Sequence, residues 1–397
     1  MSPDQNAILT VNAGSSSLKF AVYPQIGNKI DAARLSGNIE GLEQGGNALI
    51  KVSDATGSRK EALPPGDGTS FQRALRALDA ILLRDASIRV TAVAHRIVHG
   101  GDRFTDSVVL DADAMEYLQT LSPLAPLHQP HNLDGVRMFQ RSYPDLPQVG
   151  CFDTAFHATL PEVERQFALP KALRAEGIRR YGFHGLSYRY VTDRMLEQSP
   201  RAAGRMLIAH LGNGASACAV ADDKSIGTTM GFSALDGLMM GTRCGALDPG
   251  VLLYLLRQGW DGEKLERTLY RESGLRGVSG ESSDMRTLIA SESPDAKLAI
   301  DMFIYRLARE CGALTSCLRG LDVLVFTAGI GEHDVALRRK TCDALDYLGV
   351  RIDSAANTSA SGNGIRPIHA DGSAVEIWVV PTDEGLVAAG DAVRLTS

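Results

Sequence analysis

Two arginines in this chain occupy positions where packing gives little reason for an arginine. Arg96 follows a predicted strand, in the segment His-Arg-Ile-Val-His-Gly-Gly at residues 95–101, and Arg243 lies between glycines at residues 240–245. A guanidinium is permanently charged and planar, so it can bind a carboxylate or a phosphate through two parallel hydrogen bonds. The sequence therefore predicts an anion site at these arginines, although a surface salt bridge would explain either one taken alone.

Two acidic residues follow apolar segments that read as strands. Asp153 comes directly after such a segment, and Glu384 follows the apolar run at residues 375–380. Open α/β sheets carry their chemistry at the C-terminal ends of strands, where carboxylates commonly hold Mg²⁺ near phosphates. We expect such a role for both acids, whereas the neighbouring Asp383 fits a helix N-cap.

Histidines are concentrated in the middle of the chain, since seven of the nine lie between residues 95 and 210. The pairs His95/His99 and His128/His131 have spacings that occur in metal sites, but neither pair carries the glutamate of the His-Glu-x-x-His motif. The pattern favours histidines that are hydrogen-bonded in a polar cleft over a zinc site. The remaining members of the group are His157, His184 and His210.

Three predicted strands each run into a turn of small residues, at 12–17, 210–214 and 327–332. One such turn usually only reverses the chain, but three at strand ends predict phosphate contacts through backbone N–H groups. The Gly-x₄-Gly-Lys-Ser/Thr loop, the Gly-x-Ser-x-Gly motif and the protein-kinase signatures are all missing from the sequence. Together with the arginines and acids, the turns predict phosphoryl transfer that works by positioning and charge neutralisation.

Strand and helix patterns alternate along the chain, which predicts an α/β fold. The predicted strands cover residues 7–11, 18–23, 91–94, 322–326 and 375–380, and the clearest helices cover 71–83 and 295–319. Residues 44–68 are rich in glycine and proline, so we expect loops or hairpins there. The strand–turn–strand pattern at residues 8–23 returns at 207–220. Because a chain of this length usually exceeds one core, this echo predicts two similar domains.

Composition limits the class of protein. The 397 residues carry 41 basic and 47 acidic side chains, giving a net charge of −6 without a basic block, so we expect no nucleic-acid partner. No apolar run approaches the roughly 18–20 residues of a membrane span, so we expect no membrane partner either. The six cysteines form no Cys-x-x-Cys pair and no disulfide framework. These features predict a reduced, cytoplasmic protein.

Six motifs, in order along the chain, resemble the signatures of the acetate kinase (acetokinase) family. Any one of them is weak evidence, but their shared order over nearly the whole chain makes the resemblance specific. The motifs are Asn-Ala-Gly-Ser-Ser-Ser-Leu-Lys at 12–19, the segment at 95–101, Phe-Asp-Thr-Ala-Phe-His at 152–157, Arg-Tyr-Gly-Phe-His-Gly at 180–185, His-Leu-Gly-Asn-Gly at 210–214 and Gly-Ile-Gly-Glu at 329–332.

The resemblance implies a fold and a reaction. The fold is that of the acetate and sugar kinase/Hsp70/actin superfamily: two duplicated ribonuclease-H-like (actin-type ATPase) domains facing a cleft. Residues 1–152 with a returning helix at 386–397 would form the first domain, and residues 153–385 the nucleotide-binding domain. The implied reaction is the reversible in-line transfer of a phosphoryl group from ATP to acetate, giving ADP and acetyl phosphate. The implied protein is a homodimer that uses Mg²⁺, or Mn²⁺ in its place.

The resemblance also implies roles for individual residues. Arg96 and Arg243 would hold acetate and the phosphoryl group, His184 would hydrogen-bond that group, and Asp153 would orient an arginine or the water around the metal. Asn12 and Glu384 would hold the metal. The walls of the acetate pocket would be Val98, Leu127 and Phe183, beside Arg96 and Arg243. The implied nucleotide-binding residues are Ser15, Ser17, Lys19, His210, Leu211, Gly212, Asn213, Gly214, Gly329, Ile330, Gly331 and His333.

The chain departs from the family pattern at a few positions. His333 and Ala234 replace a common asparagine and a common pocket proline, and Gly385 replaces the second glutamate of a Thr-Asn-Glu-Glu motif. Val98 favours acetate over propionate, because a wall residue controls space for one methylene. The rival functions are a propionate or butyrate kinase of the same fold and a non-catalytic ATP-driven clamp. A dehydrogenase is disfavoured because no Gly-x-Gly-x-x-Gly follows the first strand.

Overall fold

The computed structural model describes residues 5–14, 16–43, 46–84, 87–362 and 364–397. The chain divides into two compact units. Unit 1 consists of residues 1–155 and 383–397, and unit 2 of residues 156–382. These limits lie a few residues from the expected boundaries at 152/153 and 385/386, so that Asp153 and Glu384 both belong to unit 1.

The strands, numbered in chain order, form one sheet in each unit. The strands are β1 Gln5–Ala13, β2 Ser17–Ile26, β3 Lys29–Ile30, β4 Leu35–Glu40, β5 Leu49–Asp54, β6 Gly57–Ala62, β7 Ile88–Ile97, β8 Val108–Val109, β9 Gln148–Phe152, β10 Met206–Leu211, β11 Ala215–Ala221, β12 Lys224–Thr228, β13 Val323–Thr327, β14 Arg366–Pro367 and β15 Glu376–Val379.

The helices alternate with these strands, as expected for an α/β protein. The α-helices are α1 Ser70–Leu82, α2 Ala112–Thr120, α3 Gln129–Ser142, α4 Glu162–Arg165, α5 Lys171–Ala175, α6 Gly185–Gln198, α7 Pro249–Arg257, α8 Gly262–Arg271, α9 Gly274–Ser279, α10 Met285–Ile289, α11 Pro294–Leu318, α12 Ala328–His333, α13 Val335–Ala344, α14 Ser354–Ser359 and α15 Glu384–Thr396. No helix in the described part of the chain is both long enough and apolar enough to cross a membrane.

The sheet of unit 1 has the strand order β6-β5-β4-β2-β1-β7-β9-β8, and β3 pairs with β2. Strands β1, β2 and β4 are antiparallel, whereas β1, β7 and β9 run parallel to one another. Every second residue of β1 from Ala7 to Ala13 shares a core with the apolar face of α1, because side chains of a strand alternate between the two faces of its sheet.

The sheet of unit 2 repeats this plan with the order β12-β11-β10-β13-β15-β14. Strands β10, β11 and β12 are antiparallel, and β13 and β15 join β10 in parallel. Each unit therefore has three antiparallel strands in chain order followed by two parallel ones. The predicted duplicated ribonuclease-H-like architecture is confirmed, and the strand–turn–strand echo corresponds to β1–β2 and β10–β11.

The last helix, α15, belongs to unit 1. Asp383 caps it by accepting a hydrogen bond from the backbone N–H of Leu386 at 3.0 Å, as the sequence predicts. The helix packs on β1, β7 and β9. Its buried Asp391 accepts a 2.7 Å hydrogen bond from the Ser107 hydroxyl, which ties the helix to the segment before β8.

Of two glycine-rich segments, the first agrees with the sequence prediction and the second forms a helix instead of a turn. Residues 44–68, expected as loops or hairpins, contain the hairpin β5–β6, although Gln44 and Gly45 lie outside the described residues. The third glycine turn begins the short helix α12 directly after β13. A glycine-rich segment is compatible with a first helical turn because backbone N–H groups are exposed there.

Candidate active site

Arg96 lies on β7 and is held by two acids of unit 1. Its Nε and Nη2 donate to Oδ1 and Oδ2 of Asp153 at 2.9 and 2.7 Å, a bidentate arrangement that fixes the plane of the guanidinium. Its Nη1 lies 3.2 Å from Oε2 of Glu384, at the first residue of α15. The group is thus positioned by β7, by the residue after β9 and by α15.

The electrostatics of this cluster keep Arg96 charged. Burial lowers the pKa of Arg96, but the negative charges of Asp153 and Glu384 together raise it by more than burial lowers it. The pKa therefore lies above its ordinary value. Burial raises the pKa of Glu384, and the positive charges of Arg96 and Lys19 oppose this rise. The side chain of Asp153 is 3% exposed, whereas those of Arg96 and Glu384 are 24% and 21% exposed, so Arg96 and Glu384 are the members that meet solvent or substrate.

A cavity of about 180 Å³ opens beside this cluster in unit 1. Its lining includes Asn12 on β1, Lys19 on β2, Arg96 and Glu384, and Asn12 lies directly opposite Lys19 in the β1–β2 register. The described residues contain no group of three or more His, Cys, Asp or Glu side chains placed to hold a metal. Two oxygen donors, Asn12 and Glu384, on one cavity suit a hard cation that keeps most of its water, as Mg²⁺ does.

Helix α3 holds the segment that follows Arg96. The amide of Asn132 accepts from the N–H of Val98 at 3.0 Å and donates to the carbonyl of Ala13 at 2.7 Å. The amide of Gln129 accepts from the N–H of His99 at 3.2 Å and donates to its carbonyl at 3.0 Å. Sequence reasoning missed Gln129 and Asn132; two buried amides on one helix were the available signal.

His184 lies in unit 2 at the start of α6, in the left-handed conformation with φ of 60°. Its Nδ1 is 2.8 Å from the hydroxyl of Ser216 on β11, a residue that sequence reasoning did not select. Its ring stacks on that of His210, with centroids 4.1 Å apart. A residue with a side chain is held in this conformation only when its surroundings fix it, which is common at functional sites.

The predicted residues His184, Gly214 and Arg243 lie together in unit 2. A Cβ atom at Gly214 would lie 3.5 Å from Nε2 of His184 and 3.7 Å from Nη1 of Arg243. Nη1 of Arg243 donates to the carbonyl of Ala234 at 3.0 Å. Ala234, which replaces the common proline, therefore positions Arg243 through its backbone.

Two loops of unit 2 are joined at Asn213. The N–H of Gly241 donates to the carbonyl of Asn213 at 2.9 Å. A Cβ at Gly241 would lie 1.9 Å from Oδ1 of Asn213, so a larger residue would have to displace the Asn213 side chain. Gly241 therefore allows the close approach of this loop to the turn at 210–214.

Arg338 binds the backbone of the third glycine turn, at residues 327–332. This arginine is fully buried, and its Nη1 donates to the carbonyls of Gly331 and Glu332 at 2.9 and 2.8 Å. Its Nε donates to Oδ1 of Asn357 at 2.7 Å. Sequence reasoning missed Arg338, because an arginine within a helical pattern normally indicates a solvated face.

Three further histidines, His95, His157 and His210, have hydrogen-bond partners that explain their burial. Nε2 of His95 lies 2.7 Å from Oε1 of Gln148, and Nε2 of His157 donates to the carbonyl of Phe183 at 2.9 Å. Nδ1 of His210 lies 2.8 Å from the hydroxyl of Ser187. These contacts agree with the interpretation of hydrogen-bonded histidines.

The predicted site residues divide between the units. Ser15 lies outside the described residues. Leu211 is fully buried in unit 2. The others lie as follows: Asn12, Ser17, Lys19, Arg96, Val98, Leu127, Asp153 and Glu384 in unit 1, and Phe183, His184, His210, Gly212, Asn213, Gly214, Arg243, Gly329, Ile330, Gly331 and His333 in unit 2.

Comparison with known proteins finds relatives over the whole chain. The model of the acetokinase family matches residues 7–390. An acetate kinase of Rhodopseudomonas palustris is 48% identical over 395 residues, covering 98% of both chains, and one of Rickettsia akari is 40% identical over 397 residues, covering 98% of this chain and 99% of the relative.

Solved structures agree with this family. A propionate kinase from Francisella tularensis superposes with a TM-score of 0.90 at 35% identity, covering 98% of this chain and 100% of that one. The acetate kinase of Porphyromonas gingivalis gives a TM-score of 0.88 at 34% identity, covering 99% and 100%.

Proposed function

Because the chain belongs to the acetokinase family, we propose that it is an acetate kinase, which transfers the γ-phosphoryl group of ATP to acetate and also catalyses the reverse reaction. The observation that carries this proposal is that each unit contains a cationic group suited to binding an anion. In unit 1, Arg96 is fixed by Asp153 and meets a cavity beside Glu384. In unit 2, Arg243 and His184 converge at Gly214, in a turn suited to phosphate.

Acetate requires no general base. Its pKa is close to that of a glutamate side chain, about 4.3, so it is already ionised at neutral pH. The barrier comes from repulsion between a carboxylate and a polyphosphate, and fixed positive charge is the remedy. We therefore propose direct in-line attack of the acetate oxygen on the γ-phosphorus, with ADP as the leaving group.

The proposed role of each residue rests on its place in the family motifs, together with its contacts where these are known. Arg96 binds the acetate carboxylate, and Asp153 holds its guanidinium in one plane. Arg243 and His184 donate hydrogen bonds to the phosphoryl oxygens as charge moves onto them. The walls of the acetate pocket are Val98, Leu127 and Phe183.

The nucleotide residues belong mainly to unit 2. Backbone N–H groups of the turn at 210–214 bind the phosphates, because closely spaced N–H groups form anion sites. The segment at 329–333 binds the adenosine, and Arg338 fixes its backbone. In unit 1, Lys19, Ser15 and Ser17 add contacts to the phosphates.

Asn12 and Glu384 would hold Mg²⁺, with Mn²⁺ as its substitute. When bound, the ion neutralises charge on the phosphate oxygens of the nucleotide. The proposal is supported by the oxygen donors that these two residues present to one cavity.

The decisive experiment traps acyl phosphates with hydroxylamine in the presence of ATP, Mg²⁺ and acetate, propionate or butyrate. We expect the highest turnover with acetate and slower turnover with propionate, because one methylene changes discrimination by about 1–3 kcal/mol. Faster turnover with propionate would assign that acid instead, and no hydroxamate with any acid would support the ATP-driven clamp. Chiral γ-phosphorus should be inverted; retention would contradict the in-line step.

We also propose a homodimer, on the evidence of α7 in unit 2. None of its residues is buried in the single chain, although most of them are apolar. Leu253, Tyr254 and Leu256 are 55%, 59% and 48% exposed. A helix that is apolar on all sides is normally covered, and a second copy of the same helix supplies an equally apolar surface.

A cytoplasmic location is supported by the cysteines. Their spacing lacks the pattern of a disulfide framework, and such frameworks mark oxidising compartments. Cytoplasmic ATP would then be the phosphoryl donor.

A further inference from the structure

In unit 2, the side chains of Tyr188 and Ser216 form a hydrogen-bonded chain that ends at His184. The hydroxyl of Tyr188 on α6 is hydrogen-bonded to the hydroxyl of Ser216 on β11. The same Ser216 hydroxyl lies 2.8 Å from Nδ1 of His184. Tyr188 and Ser216 are fully buried, so water does not supply alternative partners.

The direction of these hydrogen bonds follows from Tyr188. Burial raises the pKa of its hydroxyl well above the ordinary value, so the phenol keeps its hydrogen. Within the described chain, Ser216 Oγ is the hydrogen-bonding group that the structure gives this hydroxyl. Tyr188 must therefore donate to Ser216, since the reverse direction would leave a buried O–H without an acceptor, which is unfavourable.

The hydrogen of Ser216 is then directed to the imidazole. The Ser216 oxygen accepts from Tyr188, and Nδ1 of His184 lies 2.8 Å from the same hydroxyl, so the buried hydrogen of Ser216 finds its acceptor in Nδ1. A neutral imidazole that accepts at Nδ1 carries its hydrogen on Nε2. If Nδ1 carried the hydrogen, the Ser216 oxygen could accept it as a second bond, but the buried Ser216 hydrogen would lose Nδ1 as its acceptor.

We propose that Tyr188 and Ser216 are positioning residues that hold His184 as its neutral Nε2–H tautomer. Nε2 lies on the side of the ring that faces Gly214, as Nη1 of Arg243 does. The tautomer held in this way carries its hydrogen on the side of the ring nearest Gly214, and no proton is transferred. This inference rests on the proposed function only for the identity of the acceptor.

Nitrogen NMR of protein labelled at its histidines tests the tautomer without any activity. In the wild-type protein, His184 should show a protonated Nε2 and an unprotonated Nδ1 at pH 8. Tyr188→Phe should convert it to a mixture of tautomers, because the Ser216 hydroxyl is then no longer fixed by its donor and can turn its hydrogen away from Nδ1. Ser216→Ala, which removes the partner of Nδ1, should do the same.

His157 provides the internal control in the same spectra. Its Nε2 donates to the carbonyl of Phe183 and its Nδ1 lies 2.8 Å from Ser225, so its tautomer should stay the same in both variants. A wild-type His184 with hydrogen on Nδ1 would overturn the proposal. So would an unchanged Nε2–H signal in both folded variants.

Kinetics separate this proposal from the proposed function. Tyr188→Phe should lower kcat about tenfold, the value of one neutral hydrogen bond, with the KM values for ATP and acetate within about twofold. Tyr181→Phe, which removes a buried hydroxyl bound to the carbonyl of Gly177, is the matched control and should keep the wild-type kcat. The expected tautomers without any acyl phosphate would contradict the kinase and leave the role of Tyr188 intact; a wild-type kcat in Tyr188→Phe would overturn that role.

Discussion

At the scale of the residue, Asp153 determines how Arg96 is presented. The carboxylate is almost fully buried and accepts two hydrogen bonds from the guanidinium. Asp153→Asn keeps the shape but replaces one acceptor by an amide donor. We expect kcat/KM for acetate to fall about 10- to 100-fold, the value of a hydrogen bond between charged groups. A matched control is Asp134→Asn, which alters an exposed pair with Arg137 and should leave the rate unchanged; equal rates in the two variants would contradict this role.

His95 links the stability of the protein to pH. Burial lowers the pKa of His95 to about 4, and its hydrogen bond with Gln148 opposes the shift only in part. Below about pH 6.5, His95 binds a proton in the unfolded chain but stays neutral in the folded protein. The free energy of unfolding therefore falls as the pH falls towards 4. The contribution amounts to about 3 kcal/mol over that range.

Urea unfolding at several pH values measures this contribution. His95→Gln removes the group, so its unfolding free energy should decline less steeply between about pH 6.5 and 4 than that of the wild-type protein. Parallel curves for the two proteins would show that His95 is not the group responsible.

At the scale of the element, α15 carries Glu384 to the cavity of unit 1, and Ser107 helps to hold it there. Ser107→Ala removes the 2.7 Å hydrogen bond to Asp391, while Arg394 still donates to this carboxylate at 3.2 Å. Loss of a hydrogen bond to a charged group costs about 1.5–3 kcal/mol. We expect faster amide hydrogen exchange along α15.

The control for this exchange measurement is Ser53→Ala. The Ser53 hydroxyl is hydrogen-bonded to the exposed hydroxyl of Ser58 in the hairpin β5–β6. Loss of this hydrogen bond should not affect α15. Exchange in α15 that stays at the wild-type rate in Ser107→Ala would mean that the Ser107 hydrogen bond does not help to hold the helix.

Sequence patterns located most elements but not their limits. The strand expected at 91–94 extends over Ile88–Ile97, because pairing with β1 and β9 accommodates polar residues such as Arg96 that local propensity assigns to a turn. Likewise, the long helix expected at 295–319 occurs as Pro294–Leu318. It ends where Arg319 adopts a left-handed conformation, which the following glycine indicated only approximately.

At the scale of the whole molecule, the exposed helix α7 predicts self-association. Leu253→Glu places a charge in the apolar surface proposed as the dimer contact, and we expect a monomer of about half the wild-type mass by sedimentation. Val163, which is 91% exposed in the same unit, provides the control: Val163→Glu should remain a dimer. A wild-type protein that sediments as a monomer would contradict the proposal.

The duplication and most residues of the candidate site could be predicted from the sequence, because both depend on residues that are close together in local motifs. The residues that it did not reveal act over long separations. Ser216 reaches His184 and Asn132 reaches Ala13, across 32 and 119 positions of the chain. Such residues carry no local pattern, since an isolated buried amide or hydroxyl is recognised only when its partner is known.

Because α15 is translated last but packs in unit 1, unit 1 can be completed only after unit 2 has been synthesised. Residues 1–155 leave the ribosome first, but the faces of β1 and β7 on which α15 packs stay uncovered until unit 2 has been translated. Unit 2, continuous from 156 to 382, can fold before the earlier unit is finished. A nascent chain halted before Glu384 would therefore lack both the closing helix and the acid beside Arg96, which is proposed to hold the metal together with Asn12.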